Sequence, residues 1–68
     1  MKSLLNEIEA KGFNLFNQTE KGATITHRTR EEGINLLSFI YNYPLNERLF
    51  MKTSWDDWKG GLIEITTY

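Results

Sequence analysis

The sequence predicts an α+β fold, one short N-terminal helix packed on an antiparallel β-meander of about five strands, and three observations carry that expectation. An apolar stripe of helical period is confined to the start of the chain, at Leu4, Leu5 and Ile8. Strict two-residue alternation follows, clearest in Ala23-Thr24-Ile25-Thr26-His27-Arg28. Turn-forming clusters then recur at Glu20-Lys21-Gly22, Glu31-Glu32-Gly33, Tyr43-Pro44-Leu45-Asn46-Glu47 and Asp56-Asp57-Trp58-Lys59-Gly60-Gly61.

The helix begins at Ser3, a suitable N-cap, with Glu7 and Lys11 spaced i to i+4 on its wet side. Gly12 stops it. With Gly12 as the left-handed C′ residue, Phe13 falls at C″ and Ile8 at C3, the apolar pair that accompanies a Schellman ending. A helix this short needs a surface to lie on.

The first strand is Phe13 to Thr19. The second, Ala23 to Arg30, puts Ala23, Ile25 and His27 on one face and Thr24, Thr26, Arg28 and Arg30 on the other, as a strand with one wet side does. Ile34 to Tyr43 is the densest apolar and aromatic stretch. Read as a strand it is apolar on both faces, with Ile34, Leu36 and Ile40 opposite Leu37, Phe39, Tyr41 and Tyr43, which suits the middle of a meander. A fourth strand, Arg48 to Trp55, sets Leu49, Met51 and Trp55 against Arg48, Lys52 and Ser54. The last, Leu62 to Tyr68, sets Ile63 and Ile65 against Glu64 and Thr66. One alternative stands beside this reading: Thr29-Arg30-Glu31-Glu32 fits a capping box and Pro44 a helix stop, giving two helices on a three-stranded sheet. Gly33 in the first turn and the β-branched and aromatic weighting of the stretch favour the strand.

With 68 residues the chain has room for a single small domain, residues 1–68, burying about 60% of its extended surface. It has no cysteine, hence no disulfide or thiolate zinc site. Eight basic and nine acidic residues leave a formal charge of −1, which gives no electrostatic footprint for duplex nucleic acid or an anionic membrane. The first residues, Met1-Lys2-Ser3-Leu4-Leu5-Asn6-Glu7, meet a carboxylate too early for a signal peptide, and no apolar run is long enough to span a bilayer, so a cytoplasmic location is expected.

No catalytic set is expected. His27 is the single histidine, and catalysis needs a second titratable group converging on it; a partly buried sheet position is the plainer reading. Asp56 and Asp57 lack the oxygen-rich spacing of a cation loop and read as turn formers. Gly60-Gly61 lacks the context of a phosphate cradle. Neither metal nor cofactor is expected. The opening of the chain, a short helix, Lys11-Gly12-Phe13, a strand, a glycine turn and a strand containing His27, resembles the helix-then-hairpin RNA-binding folds of the HicA toxin family over less than half its length. That family's catalytic histidine directly follows a Gly-Ser turn, whereas Gly22 here precedes Ala23 and Thr24, so its activity is not carried over.

What remains is a surplus of apolar surface. One short helix covers part of one face of a five-stranded sheet, leaving Leu37, Phe39, Tyr41 and Tyr43 open on the other, near Trp55 and Trp58. Tyr and Trp are the usual anchors of interfaces, and four such side chains are worth roughly 6–12 kcal/mol gross at about 1.5–3 kcal/mol each, before association costs. The expected function is therefore protein binding, as a small regulator or inhibitor of a larger protein of the kind phages use, or as a homodimer paired through a sheet face. Phe39, Tyr41, Tyr43, Trp55 and Trp58 are the expected anchors, with Arg28 and Arg30 as a polar rim. A sheet that curls round these aromatics as a half-barrel would need no partner. Single-stranded nucleic acid stacked between Arg28, Arg30 and the sheet aromatics is the alternative function, opposed by Glu31, Glu32, Glu47, Asp56 and Asp57 in the adjoining turns.

Overall fold

The computed structural model describes residues 2–45 and 47–67. Two α-β-β units follow one another: α1 (Lys2–Ala10), β1 (Asn14–Thr19) and β2 (Gly22–His27), then α2 (Arg30–Asn42), β3 (Leu49–Asp56) and β4 (Gly60–Thr67). The strands form one antiparallel sheet in the order β1-β2-β4-β3. The second strand of each unit thus lies in the centre and the first at an edge. Both helices lie on one face, α1 against β1 and α2 against β4 and β2.

This corrects the expected five-stranded meander. The stretch from Ile34 to Tyr43 is not a central strand but most of α2, so the alternative with two helices is the nearer one, with four strands rather than three. Local chemistry at the helix start decides it. The Thr29 side chain accepts from the Glu32 amide at 3.1 Å, while the Glu32 carboxylate accepts from the amides of Arg28 at 2.8 Å and Thr29 at 3.2 Å. Two carboxylates, Glu31 and Glu32, sit in the first turn, where the helix dipole favours them. Gly33, which argues against a helix from propensity alone, is buried at the face that meets the sheet.

Elsewhere most local signals hold, although Ser3 lies inside α1, which starts at Lys2, and so is not the N-cap expected. Gly12 has φ +97° and its amide donates to Glu9 at 3.0 Å, ending α1. Ala23, Ile25 and His27 point inward together, as do Ile63 and Ile65. Asp56 accepts from the amides of Trp58 at 2.7 Å and Lys59 at 3.1 Å, tightening the β3–β4 turn. Asn46, in the expected turn from Tyr43 to Glu47, and Tyr68, the expected last strand residue, lie outside the described residues.

The core is a sandwich of helix and sheet residues: Leu4, Leu5 and Ile8 from α1, Leu36 and Ile40 from α2, and Ala23, Ile25, Ile63 and Ile65 from the two central strands. The register lines Leu15, Ile25, Ile63 and Thr53 in one row across all four strands, so β3 carries the inner face out past the helices. The opposite face is not the aromatic surface expected. Its central strands show Thr24, Thr26, Glu64 and Thr66, with Leu62 and the edge residues Phe16 and Phe50 as its larger apolar side chains.

Candidate functional site

The row nearest the start of α2 runs His27, Gly61, Trp55 across β2, β4 and β3. Because Gly61 has no side chain, the His27 ring leans across it and stacks on Trp55, with centroids 5.9 Å apart and planes 26° apart. A Cβ on Gly61 or on Gly33 above would overlap that ring, so the two glycines form a slot of its shape. His27 Nδ1 lies 2.8 Å from the Thr29 carbonyl, and since a carbonyl only accepts, Nδ1 carries the proton. His27 is thus a packed ring pinning β2 to the start of α2, in keeping with the partly buried sheet position expected.

Beyond the slot, the Arg30 guanidinium sits over the Trp55 ring at 5.1 Å. The Trp55 indole N–H donates to Asp57 at 2.9 Å, which fixes the ring's edge. Arg30, Trp55, Thr53 and Ile34 line a groove of about 430 Å³ between α2 and β3. A second, separate hollow of about 220 Å³ lies further along the helix, lined by Tyr41, Tyr43, Leu49 and Met51 among others. This groove exists because α2 lies over β2 and β4, leaving the inner face of β3 beside it. Ile34, on the helical wall of the groove, is 66% exposed, and Tyr41, beside the second hollow, 79%.

The structure divides the expected anchors. Trp55 and Arg30 share the groove, and Tyr41 lines the second hollow. Phe39 lines neither hollow and Tyr43 borders the second; both pack against the core with their rings 5.7 Å apart, and the Lys11 ammonium lies over Phe39 at 4.6 Å. A hydrogen bond to Glu7 raises the Tyr43 phenol above its ordinary value, with desolvation adding to it, so this side chain ties α2 back to α1. Trp58 stands 96% exposed at the tip of the β3–β4 turn. Arg28 is separated from Arg30 and lines a cleft of about 370 Å³ with Lys11, Lys59, Asn14 and Glu32. Hydrogen bonds from the amides of Arg28 and Thr29 hold the Glu32 carboxyl below its ordinary range. Asp56 and Asp57 are turn and ring-fixing groups.

Sequence reasoning missed Ile34 as a groove residue, because a strand reading puts it on a buried face. It also missed Phe16 and Phe50 on the outer sheet face. The one signal for that pair is that each follows a leucine, Leu15 and Leu49, near the start of an edge strand. Among the described residues no helix is long and apolar enough to cross a membrane. Comparison with protein families, curated proteins and solved structures finds no match to this chain.

Proposed function

We propose that this chain is a small protein-binding module that regulates or inhibits a larger protein, acting in the cytoplasm through the groove between α2 and β3. The observation that carries the reading is the open inner face at the Thr53–Trp55 end of β3, where Trp55 and Ile34 form a concave strip with Arg30 at its end, with Tyr41 lining a second hollow further along α2. Such a strip suits an amphipathic segment that sets apolar side chains between Ile34 and Trp55 and a carboxylate against Arg30. Trp58 extends the surface at the turn tip. The test is capture of a partner from nuclease-treated host lysate, repeated with Tyr41→Ala and Trp58→Ala. Both side chains are largely exposed, so both variants keep the wild-type circular dichroism. Tyr41→Ala is expected to lose at least tenfold in retention, as removal of an interface anchor does. Unchanged retention in both variants refutes the reading.

Single-stranded nucleic acid is the second reading, favoured by the cleft that brings Lys11, Arg28 and Lys59 together next to the exposed Trp58. It predicts binding of short oligonucleotides that weakens steeply with salt and is abolished by Arg28→Glu with Lys59→Glu. A flat fluorescence anisotropy titration at low salt excludes it.

A further inference from the structure

The two edges of the sheet are unlike. On β1 the register with β2 shifts between Phe16 and Thr19, and Asn17 takes a left-handed φ of 51°, which breaks the outer edge into short pieces. On β3 all eight residues, Leu49 to Asp56, pair one to one with β4 without a bulge, and the strand contains neither proline nor a positive φ. A long, regular edge of this kind is a template for another strand. We infer that β3 pairs antiparallel with β3 of a second copy, joining two sheets into one of eight strands.

The side chains select the second copy and its register. In an antiparallel pair, residues directly opposite share a face. A twofold axis perpendicular to the sheet therefore places one β3 residue opposite itself. Centred on Lys52, two ammonium groups meet, which like-charge repulsion opposes. Centred on Thr53, Thr53 meets its own copy, and Met51 faces Trp55 of the partner subunit on the helix side, a sulfur–aromatic pair made twice. Lys52 then faces Ser54 of the partner subunit, with Asp56 of the partner subunit on one diagonal and Lys52 of the partner subunit on the other, so the two ammonium groups are offset rather than directly opposed and each has a carboxylate within reach, while Phe50 faces Asp56 of the partner subunit. This register overlaps residues 50–56, whereas centring on Ser54 shortens the overlap to 52–56 and sets Thr53 against Trp55 of the partner subunit. Thr53 is therefore the axis. Pairing uses both regular edges and leaves the two interrupted β1 edges outermost, so assembly stops at two. The two α2–β3 grooves become one trough across the axis.

Sedimentation equilibrium at millimolar protein is expected to give twice the chain mass. Thr53→Lys opposes two lysines at the axis and is expected to give the mass of one chain with unchanged circular dichroism, since Thr53 is exposed. In this cysteine-free chain Thr53→Cys supplies a single thiol opposite its copy and is expected to form a disulfide-linked dimer in air at least tenfold faster than Ser54→Cys. A monomer at every concentration overturns the inference. So does a dimer that survives Thr53→Lys, or one that crosslinks faster at Ser54→Cys. Partner binding is read separately, through Tyr41→Ala, whose side chain lies on α2 and outside the paired edge.

Discussion

Replacing Gly61 by alanine tests whether the His27 ring defines the joint between sheet and second helix. The added Cβ falls inside the ring's volume, and β4 backbone fixes its position, so the ring must leave. Leaving forfeits the Nδ1 hydrogen bond to Thr29, about 0.5–1.5 kcal/mol, and the stack on Trp55, about 0.5–1.5 kcal/mol. A loss of about 1–3 kcal/mol follows, the range typical of overpacking. For a domain of this size each kcal/mol lowers Tm by about 4–8 °C, so the effect is large beside the error of a melt. In a His27→Ala background the same Cβ enters space the ring has vacated. There Gly61→Ala is expected to be neutral or to stabilise by about 0.4–1 kcal/mol, because alanine restricts the unfolded chain. The double-mutant cycle, followed by urea unfolding with tryptophan fluorescence, is thus expected to show a coupling of about 2 kcal/mol. An equal cost in both backgrounds refutes the slot.

Thr29→Ala removes the side-chain half of the capping box and is expected to cost about 1 kcal/mol, read as a lower urea midpoint with unchanged slope; no change would show that the box does not hold α2. Glu32 bears on pH dependence. Its folded pKa lies below the ordinary 4.5, so the folded state binds this proton less readily than the unfolded one. Its contribution is therefore present above the unfolded value and lost as pH falls through the folded value. Glu32→Gln is expected to lower stability at neutral pH and to converge with wild type in acid, below pH 4.5; parallel stability curves for the two proteins would contradict this.

The elements formed by short-range chemistry were legible in the sequence. Gly12 ends α1 because its amide makes the last bond of the helix end, to Glu9, and its left-handed φ then turns the chain away from the helix axis. The inward set Ala23, Ile25, His27 and the pair Ile63, Ile65 follow from alternation, since successive strand residues must point to opposite faces. The capping box at Thr29 and Glu32 was visible too. What opposed it was Gly33, whose cost in a helix is real as propensity but not as packing: the residue is small because the His27 ring lies against it.

That contact joins residues from two elements, and so does every feature the sequence left open. Which strand lies next to which, why Phe39 and Tyr43 are packed while Ile34 and Tyr41 are exposed, and why Trp55 meets Arg30 all depend on where α2 rests on the sheet. Periodicity records which faces of an element are apolar; it does not record what covers them. Local pattern was enough for the inward faces of the strands, the β1–β2 and β3–β4 turns and the C-terminal end of α1, but not for the start of α1, nor for Glu31-Glu32-Gly33, which lies in the first turn of α2. Packing alone set α2 over β2 and β4, where the His27 ring lies against Gly33 and Gly61, and that position leaves the Thr53–Trp55 end of β3 open as a groove.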